Sequence, residues 1–298
     1  MLLSVTPERL AAVAAAALPD LSDALERGQI VQFPRNPIDL PTAEDLAFLR
    51  GLGAQLARKN VSWYPEGDRL VGVKDPAARE RARRILSAHA TRVRDLLSSV
   101  MAGFFRGARS GTTSFRPLQE KGRQLSAHAS NELIHVDAGA YGATHGDRIL
   151  RFFVNANPAE DRVWASKGTF RDLFAKHGAQ AGIARGSLEP SILGRALSGT
   201  LGAVGRVLPA LRMIDTSDYD RRMRRFHNFM KDTPTFRESR EGQVELRFPP
   251  LSAWMVLTDA VSHACLEGQH AFVDTFVVPL GNCRIREHAP WNVLAAAG

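Results

Sequence analysis

Cysteine is scarce in this chain, and long apolar runs are absent. With only Cys265 and Cys283 among 298 residues, the chain has too few thiols for a disulfide-stapled scaffold or a four-thiolate zinc site. No uninterrupted apolar stretch approaches the roughly 18 residues that a membrane-spanning helix needs. Prolines and charged residues interrupt any signal-peptide core near the N-terminus. These absences predict a cytoplasmic protein in a reducing compartment.

Aromatic residues are also few, whereas positive charge is in excess. The net charge of +8 favours a polyanionic partner: nucleic acid, an anionic membrane surface or an acidic substrate. Three tyrosines and four tryptophans offer no obvious platform for stacking bases, so nucleic acid is the less favoured partner. Two arginine-rich helices are predicted, near 76–106 and 217–231. Each is either a solvated face or a peripheral contact with the anionic inner face of the inner membrane.

The pattern of the sequence changes near residue 107. Before it, the spacing of apolar residues predicts helices over 7–28, from Thr42 onward, and over 76–106. Pro19 is expected to break the first of these helices. After it, short β-type runs between Gly, Pro and Asn predict strands at 113–116, 149–154, 244–248, 253–257 and 271–278. Further helices are expected near 168–177 and 217–231, with a small-residue insert near 187–212.

These patterns predict an α+β fold with two regions. Residues 1–107 are expected to form a helical N-terminal support. Residues 108–298 are expected to form a double-stranded β-helix, or jelly roll, with a helical insert near 165–232.

His135-Val136-Asp137 is the most informative motif of the chain. Side chains alternate along an extended segment, so His135 and Asp137 project from the same face and can reach one ion. A third ligand is expected at His263, which follows an apolar strand and a polar turn; His227, on a predicted helix, is the alternative. Two imidazoles and one carboxylate on one face hold ferrous iron and leave coordination positions open. A bare H-x-D is common by chance, so the prediction depends on this context.

The open positions would accept a bidentate 2-oxo acid and oxygen, and the distal carboxylate of the acid needs a cation. Arg151 is the first candidate, because an arginine in an apolar strand must find an anion unless it reaches solvent at an edge. Arg116 is a second candidate cation, and Gln269 and Thr275 are candidate donors to a carboxylate. The predicted enzyme is an Fe(II)- and 2-oxoglutarate-dependent dioxygenase.

At these residues the chain resembles the Kdo hydroxylase family, oxygenases of 3-deoxy-D-manno-oct-2-ulosonic acid (Kdo). The matching segments are 135–138, 146–151, 155–158 with 162–164, 219–220, 258–259 with 261–264, 268–269 and 275–276. The resemblance implies a jelly-roll enzyme that uses Fe(II) and 2-oxoglutarate, with ascorbate as an optional addition. It further implies hydroxylation at C3 of a Kdo sugar on a lipid A precursor of the lipopolysaccharide inner core.

The chain departs from the family pattern at 130–133, at 139–140 and at 226–228. These positions are expected to line the entrance to the substrate-binding site. Two alternatives therefore stay open. One is an oxygenase of the same class that acts on another anionic substrate such as nucleic acid. The other is a sugar-binding barrel without catalytic activity, in which the same three residues hold zinc or nickel.

Overall fold

The computed structural model describes residues 1–139, 142–186, 188 and 217–296. Its α-helices are α1 (Pro7–Ala14), α2 (Ser22–Glu26), α3 (Ala43–Gly51), α4 (Pro76–Val100), α5 (Ala102–Phe105), α6 (Phe170–His177), α7 (Asp218–Asp232), α8 (Pro234–Glu238) and α9 (Pro290–Ala295). Short 3-10 helices lie at Leu52–Gln55, Leu280–Asn282 and Arg286–His288. The insert predicted at 187–212 lies outside the described residues, apart from Leu188.

The strands are β1 (Leu2–Ser4), β2 (Ile30–Phe33), β3 (Val61–Tyr64), β4 (Arg69–Val71), β5 (Arg109–Arg116), β6 (Arg148–Asn155), β7 (Arg162–Ser166), β8 (Val244–Phe248), β9 (Ala253–Leu257), β10 (Ala264–Glu267) and β11 (Ala271–Val278). Eight form one sheet in the order β1-β2-β9-β6-β11-β5-β3-β4, and β10-β7-β8 form a second sheet. All neighbouring pairs are antiparallel except β1 with β2. Mixed helices and sheets with a large antiparallel sheet agree with the α+β prediction.

Side-chain caps determine where several helices begin. Thr42 accepts a hydrogen bond from the backbone N–H of Asp45, and Ser217 accepts one from that of Asp220. Such caps satisfy N–H groups that have no partner within the helix. The helix predicted over 76–106 divides at Met101, whose φ of −147° is not helical.

The N-terminal region is less helical than expected. Four strands of the large sheet, β1 to β4, come from the first 107 residues. β1, β3 and β4 have only three or four residues each, too few to show an alternating pattern, so their pairing partners rather than their own sequence make them strands. The division at residue 107 stays a prediction, and both regions contribute to the same sheet.

Aromatic side chains fill the space between the two sheets. Phe153 and Trp254 from the large sheet pack against Trp164 and Phe248 from the small one, and the Phe248 and Trp254 rings stack with centroids 3.9 Å apart. The amphipathic helix α4 packs in another apolar cluster with residues of the large sheet. Helices α6 and α7 share a further cluster with residues 134–138, which places α7 beside the H-x-D motif.

No helix among the described residues combines the length and apolar character needed to cross a bilayer.

Candidate active site

The structure brings His135, Asp137 and His263 together. His135 and His263 form an antiparallel bridge through two backbone hydrogen bonds of 3.1 and 2.8 Å, and Asp137 N–H donates to the carbonyl of Thr258. One potential ligand atom from each of the three side chains lies within 4.8 Å of the other two. All three residues are buried. The arrangement is the three-residue face predicted from the sequence, and its role as a metal site stays a prediction.

The imidazoles are held in the tautomer that leaves Nε2 free to bind a metal. Nδ1 of His135 donates to the carbonyl of Leu133 at 2.7 Å, and Nδ1 of His263 donates to that of Val261 at 3.0 Å. A carbonyl only accepts, so Nδ1 carries the proton and Nε2 keeps its lone pair. Burial lowers the pKa of both histidines, which keeps the rings neutral at pH 7.

Asp137 is held in its charged form. Burial raises the pKa of its carboxyl, but the charge of the adjacent Arg151 guanidinium lowers it, and the net pKa lies below the ordinary value. Asp137 Oδ2 lies 2.9 Å from Arg151 Nε. Despite this short distance the two atoms do not form a hydrogen bond with each other, and neither has another hydrogen-bond partner among the described residues. A buried carboxylate oxygen without a hydrogen bond, beside two neutral Nε2 atoms, fits the ligand set of ferrous iron.

A buried ion pair anchors the turn that carries His263. Arg148 Nε donates to Asp259 Oδ2 at 2.6 Å, and both residues are at most 1% exposed. The other Asp259 oxygen accepts the backbone N–H of Ile149. Because Asp259 lies four residues before His263, the pair attaches this turn to β6. Arg148 thus already has an anionic partner and is not expected to bind 2-oxoglutarate.

A cavity of about 270 Å³ adjoins the three residues. Its lining residues are Lys59, Arg116, His128, Ala129, Asn131, His135, Asp137, Arg151, Phe153, Trp164, His227, Lys231, His263 and Cys265. Arg151 and Arg116 therefore face the same space as the His-Asp-His group. Thr275 lies directly opposite Arg151 in the β11–β6 ladder, and its buried hydroxyl has no partner among the described residues. Among the described residues, neither Thr275 nor Gln269 lines the cavity; Gln269 lies in the turn before β11.

His227 lines the cavity but is not one of the three grouped residues. Its Nδ1 donates to the carbonyl of Val136 at 2.7 Å, within the H-x-D motif itself. Its ring centroid lies 5.0 Å from that of His135. Burial lowers the pKa of His227 to about 4. His227 therefore supports the motif from α7 and presents a neutral Nε2.

Beside the cavity, three arginines surround one buried carboxylate. Glu120 lies 3.4 Å from guanidinium nitrogens of both Arg116 and Arg162, and 3.6 Å from one of Arg123. Arg116 Nε and Arg162 Nη1 have no hydrogen-bond partner among the described residues. Positive charge thus exceeds negative charge at this side of the cavity. Sequence reasoning missed Glu120, because a lone glutamate in a polar loop carries no distinguishing pattern, and it used Arg162 only as part of the family resemblance, without a role.

Arginines of the two basic helices are largely engaged within the protein. Arg81 pairs with Glu44 and Asp45, and Arg83 pairs with Glu80 and Asp68. On α7, Arg222 pairs with Asp218 at 2.6 Å. These contacts favour the interpretation of a solvated structural face over a dedicated lipid-binding surface.

Comparisons with known proteins identify one family. The sequence profile of 3-deoxy-D-manno-oct-2-ulosonic acid (Kdo) hydroxylases matches residues 11–298. No curated protein sequence is significantly similar. Among solved structures, the chain is similar to the Kdo hydroxylase KdoO, described as a non-heme Fe(II) alpha-ketoglutarate-dependent dioxygenase. The apo form, the complex with alpha-ketoglutarate and Fe(III), and the cobalt(II) complex each align with a TM-score of 0.79 at 25% identity, covering 98% of this chain and 94% of KdoO.

The profile match covers almost the whole chain, including the H-x-D motif, the cavity and the His263 turn. The resemblance seen in the sequence is confirmed, together with the class of enzyme that it implied. This chain belongs to the Kdo hydroxylase family.

Proposed function

We propose that this chain hydroxylates C3 of a Kdo sugar on a lipid A precursor, using Fe(II), 2-oxoglutarate and oxygen. The observation that carries the proposal is the convergence of His135, Asp137 and His263 at a cationic cavity in a member of this family. The jelly-roll core is part of the same proposal. It is supported by two sheets whose facing side chains form an aromatic core, with the cavity lined by β6, β7 and β10 residues.

His135, Asp137 and His263 would hold the iron, with each imidazole fixed by a backbone carbonyl. When bound, Fe(II) supplies the oxidation chemistry: one atom of oxygen enters succinate as carbon dioxide is lost, and the other becomes the new hydroxyl. Arg151 would hold the distal carboxylate of 2-oxoglutarate, with Arg116 as the second candidate for this role. The aromatic core beneath the cavity, including Phe153 and Trp164, would exclude water from the reacting atoms.

Replacing Arg151 should weaken 2-oxoglutarate binding. The Arg151 guanidinium faces the cavity beside Asp137 and opposite Thr275. The distal carboxylate of 2-oxoglutarate would therefore bind both Arg151 and Thr275. A charge-assisted hydrogen bond is worth roughly 1.5–3 kcal/mol, and Arg151→Met should therefore raise the apparent KM for 2-oxoglutarate by about ten- to a hundredfold. Succinate release measured against 2-oxoglutarate concentration tests this.

Arg247→Met is the matched control, because Arg247 has a largely exposed side chain paired with Glu245. Arg116→Met decides between the two candidate anchors: a larger rise in KM for Arg116→Met than for Arg151→Met would assign the anchor to Arg116. An unchanged KM in both variants would contradict the placement of 2-oxoglutarate in this cavity.

Mass spectrometry tests the reaction itself. Purified enzyme with Fe(II) and 2-oxoglutarate should add one oxygen atom to a Kdo-containing lipid A precursor, and fragmentation should place it on the sugar at C3. Omission of Fe(II) or 2-oxoglutarate should abolish the product. Succinate formation without any oxidised Kdo, under conditions where an authentic Kdo hydroxylase is active, would contradict the proposed substrate.

Base oxidation receives no support from the described cavity. Its two aromatic side chains other than histidine, Phe153 and Trp164, pack against each other with ring centroids 4.8 Å apart. They form part of the core rather than a platform for stacked bases. Peripheral contact with an anionic membrane surface stays a prediction.

A further inference from the structure

The cavity has a lysine pair, Lys59 and Lys231, that the proposed iron and 2-oxoglutarate sites do not use. Lys231 lies on α7, four residues after His227, so both side chains project from one face of the helix toward the cavity. Lys59 reaches the cavity from the loop before β3. Both lysines donate hydrogen bonds to one segment of the cavity wall, residues 128–131.

The contacts of these ammonium groups are all with neutral acceptors. Lys231 Nζ donates to the carbonyls of His128 and Ser130 at 3.1 and 2.9 Å. Lys59 Nζ donates to the Ala129 carbonyl and to Asn131 Oδ1 at 3.1 Å. An ammonium has three donors, so each lysine keeps one N–H for a further partner.

Neither lysine forms an ion pair with any acidic side chain in the described part of the chain. The carboxylates that influence them already lie beside other side chains: Glu120 beside Arg116, Asp137 beside Arg151, and Asp232 beside His128. Burial lowers the pKa of Lys59 and of Lys231 to about 8, which leaves both mostly charged at pH 7. Lys231 is 2% exposed and Lys59 is half-buried. A buried charge without an opposite charge is costly, and a bound anion would compensate it.

Two groups of cations therefore face one cavity. Arg116 and Arg151 extend from the strands of the large sheet, whereas the lysine pair extends from α7 and a loop. His227 also lines the cavity, with its ring centroid 5.0 Å from that of His135, and its Nε2 can accept a hydrogen bond because its Nδ1 donates to Val136. An acceptor beside two ammonium groups is complementary to a molecule that carries both hydroxyls and a carboxylate.

We infer that Lys231 and Lys59 bind the carboxylate of the acidic sugar and thereby determine which substrate the enzyme accepts. The inference rests on the proposed function and adds to it the residues that recognise the sugar. The arginines would then serve the co-substrate, and the α7 face would serve the sugar, with the carboxylate bound to the lysine pair and a hydroxyl bound to His227.

The test compares a Kdo methyl glycoside with its methyl ester, which removes only the charge of the carboxylate. Titration calorimetry with the Co(II) and 2-oxoglutarate form measures binding without turnover. The wild-type protein should bind the acid about tenfold or more tightly than the ester, as expected for a charge-assisted hydrogen bond. Lys231→Met should remove most of that preference, and Lys59→Met should reduce it. Lys176→Met, an exposed lysine paired with Glu241, should keep it.

The ratio of the two affinities separates recognition from support of the cavity wall. If Lys231 only braced residues 128–131, its loss would weaken acid and ester equally and leave the preference intact. An unchanged preference in both Lys231→Met and Lys59→Met would overturn the inference, as would a wild-type protein that binds acid and ester equally while still hydroxylating Kdo. If the wild-type protein neither binds nor hydroxylates either glycoside or the lipid-linked sugar, the proposed function itself fails.

Discussion

His263→Ala is expected to abolish both stoichiometric iron binding and 2-oxoglutarate turnover, down to the background measured without iron. His263 is the proposed ligand farthest along the chain from His135 and Asp137, and its backbone pairs with His135, so that a potential ligand atom of His263 lies within 4.8 Å of one from each of them. Removal of its imidazole leaves two protein ligands on the face, too few for the two-histidine, one-carboxylate arrangement. Metal analysis after anaerobic Fe(II) loading and desalting, combined with a succinate assay, measures both effects.

His227→Ala is the matched comparison for that experiment. His227 contacts the same cavity, but its Nδ1 is bonded to Val136 and it lies outside the three-residue group. The His227→Ala protein should therefore retain iron. Iron retained by His263→Ala and lost by His227→Ala would reverse the assignment and make the α7 histidine the third ligand.

Asp259→Ala is expected to produce the largest loss of stability. The Arg148 and Asp259 side chains are almost completely buried and only 2.6 Å apart. Removing one partner of such a pair leaves an uncompensated buried charge, at a cost of about 3–5 kcal/mol in the free energy of unfolding. The backbone N–H of Ile149 would lose its Asp259 acceptor as well. Urea denaturation followed by circular dichroism measures the change.

Glu241→Ala provides the control for Asp259→Ala. Glu241 pairs with Lys176 at the same distance of 2.6 Å, but both side chains are more than half exposed. An exposed pair contributes about 0–1 kcal/mol, so this variant should unfold close to the wild-type midpoint. Equal losses in the two variants would show that burial does not set the contribution of the Arg148–Asp259 pair.

The three grouped residues could be predicted from the sequence because their signals are local. His135 and Asp137 are two positions apart and therefore share a face, and His263 follows a strand whose bounds, Ala253–Leu257, the apolar pattern predicted without error. Strands β8 and β11 were predictable for the same reason: their β-type residues form short runs that end at turn residues.

The remainder of the cavity depends on tertiary packing. Lys59, Glu120 and Lys231 come from a loop, a coil and a helix that are distant in sequence, and no spacing rule connects them. The arginine-rich helices were likewise ambiguous, because partners such as Glu44 and Asp68 for Arg81 and Arg83 lie outside the helix. The short strands β1, β3 and β4 form through their neighbours in the sheet rather than through their own patterns.

The most direct measurement of the proposed metal centre is an anaerobic visible spectrum of the Fe(II) protein as 2-oxoglutarate is added. Chelation of ferrous iron by a 2-oxo acid gives a charge-transfer absorption that neither component shows alone. We expect this band in the wild-type protein at one iron per chain, and we expect Asp137→Ala to lack it. A wild-type protein that binds 2-oxoglutarate without the band, or an Asp137→Ala protein that retains it, would contradict an iron site formed by these three residues.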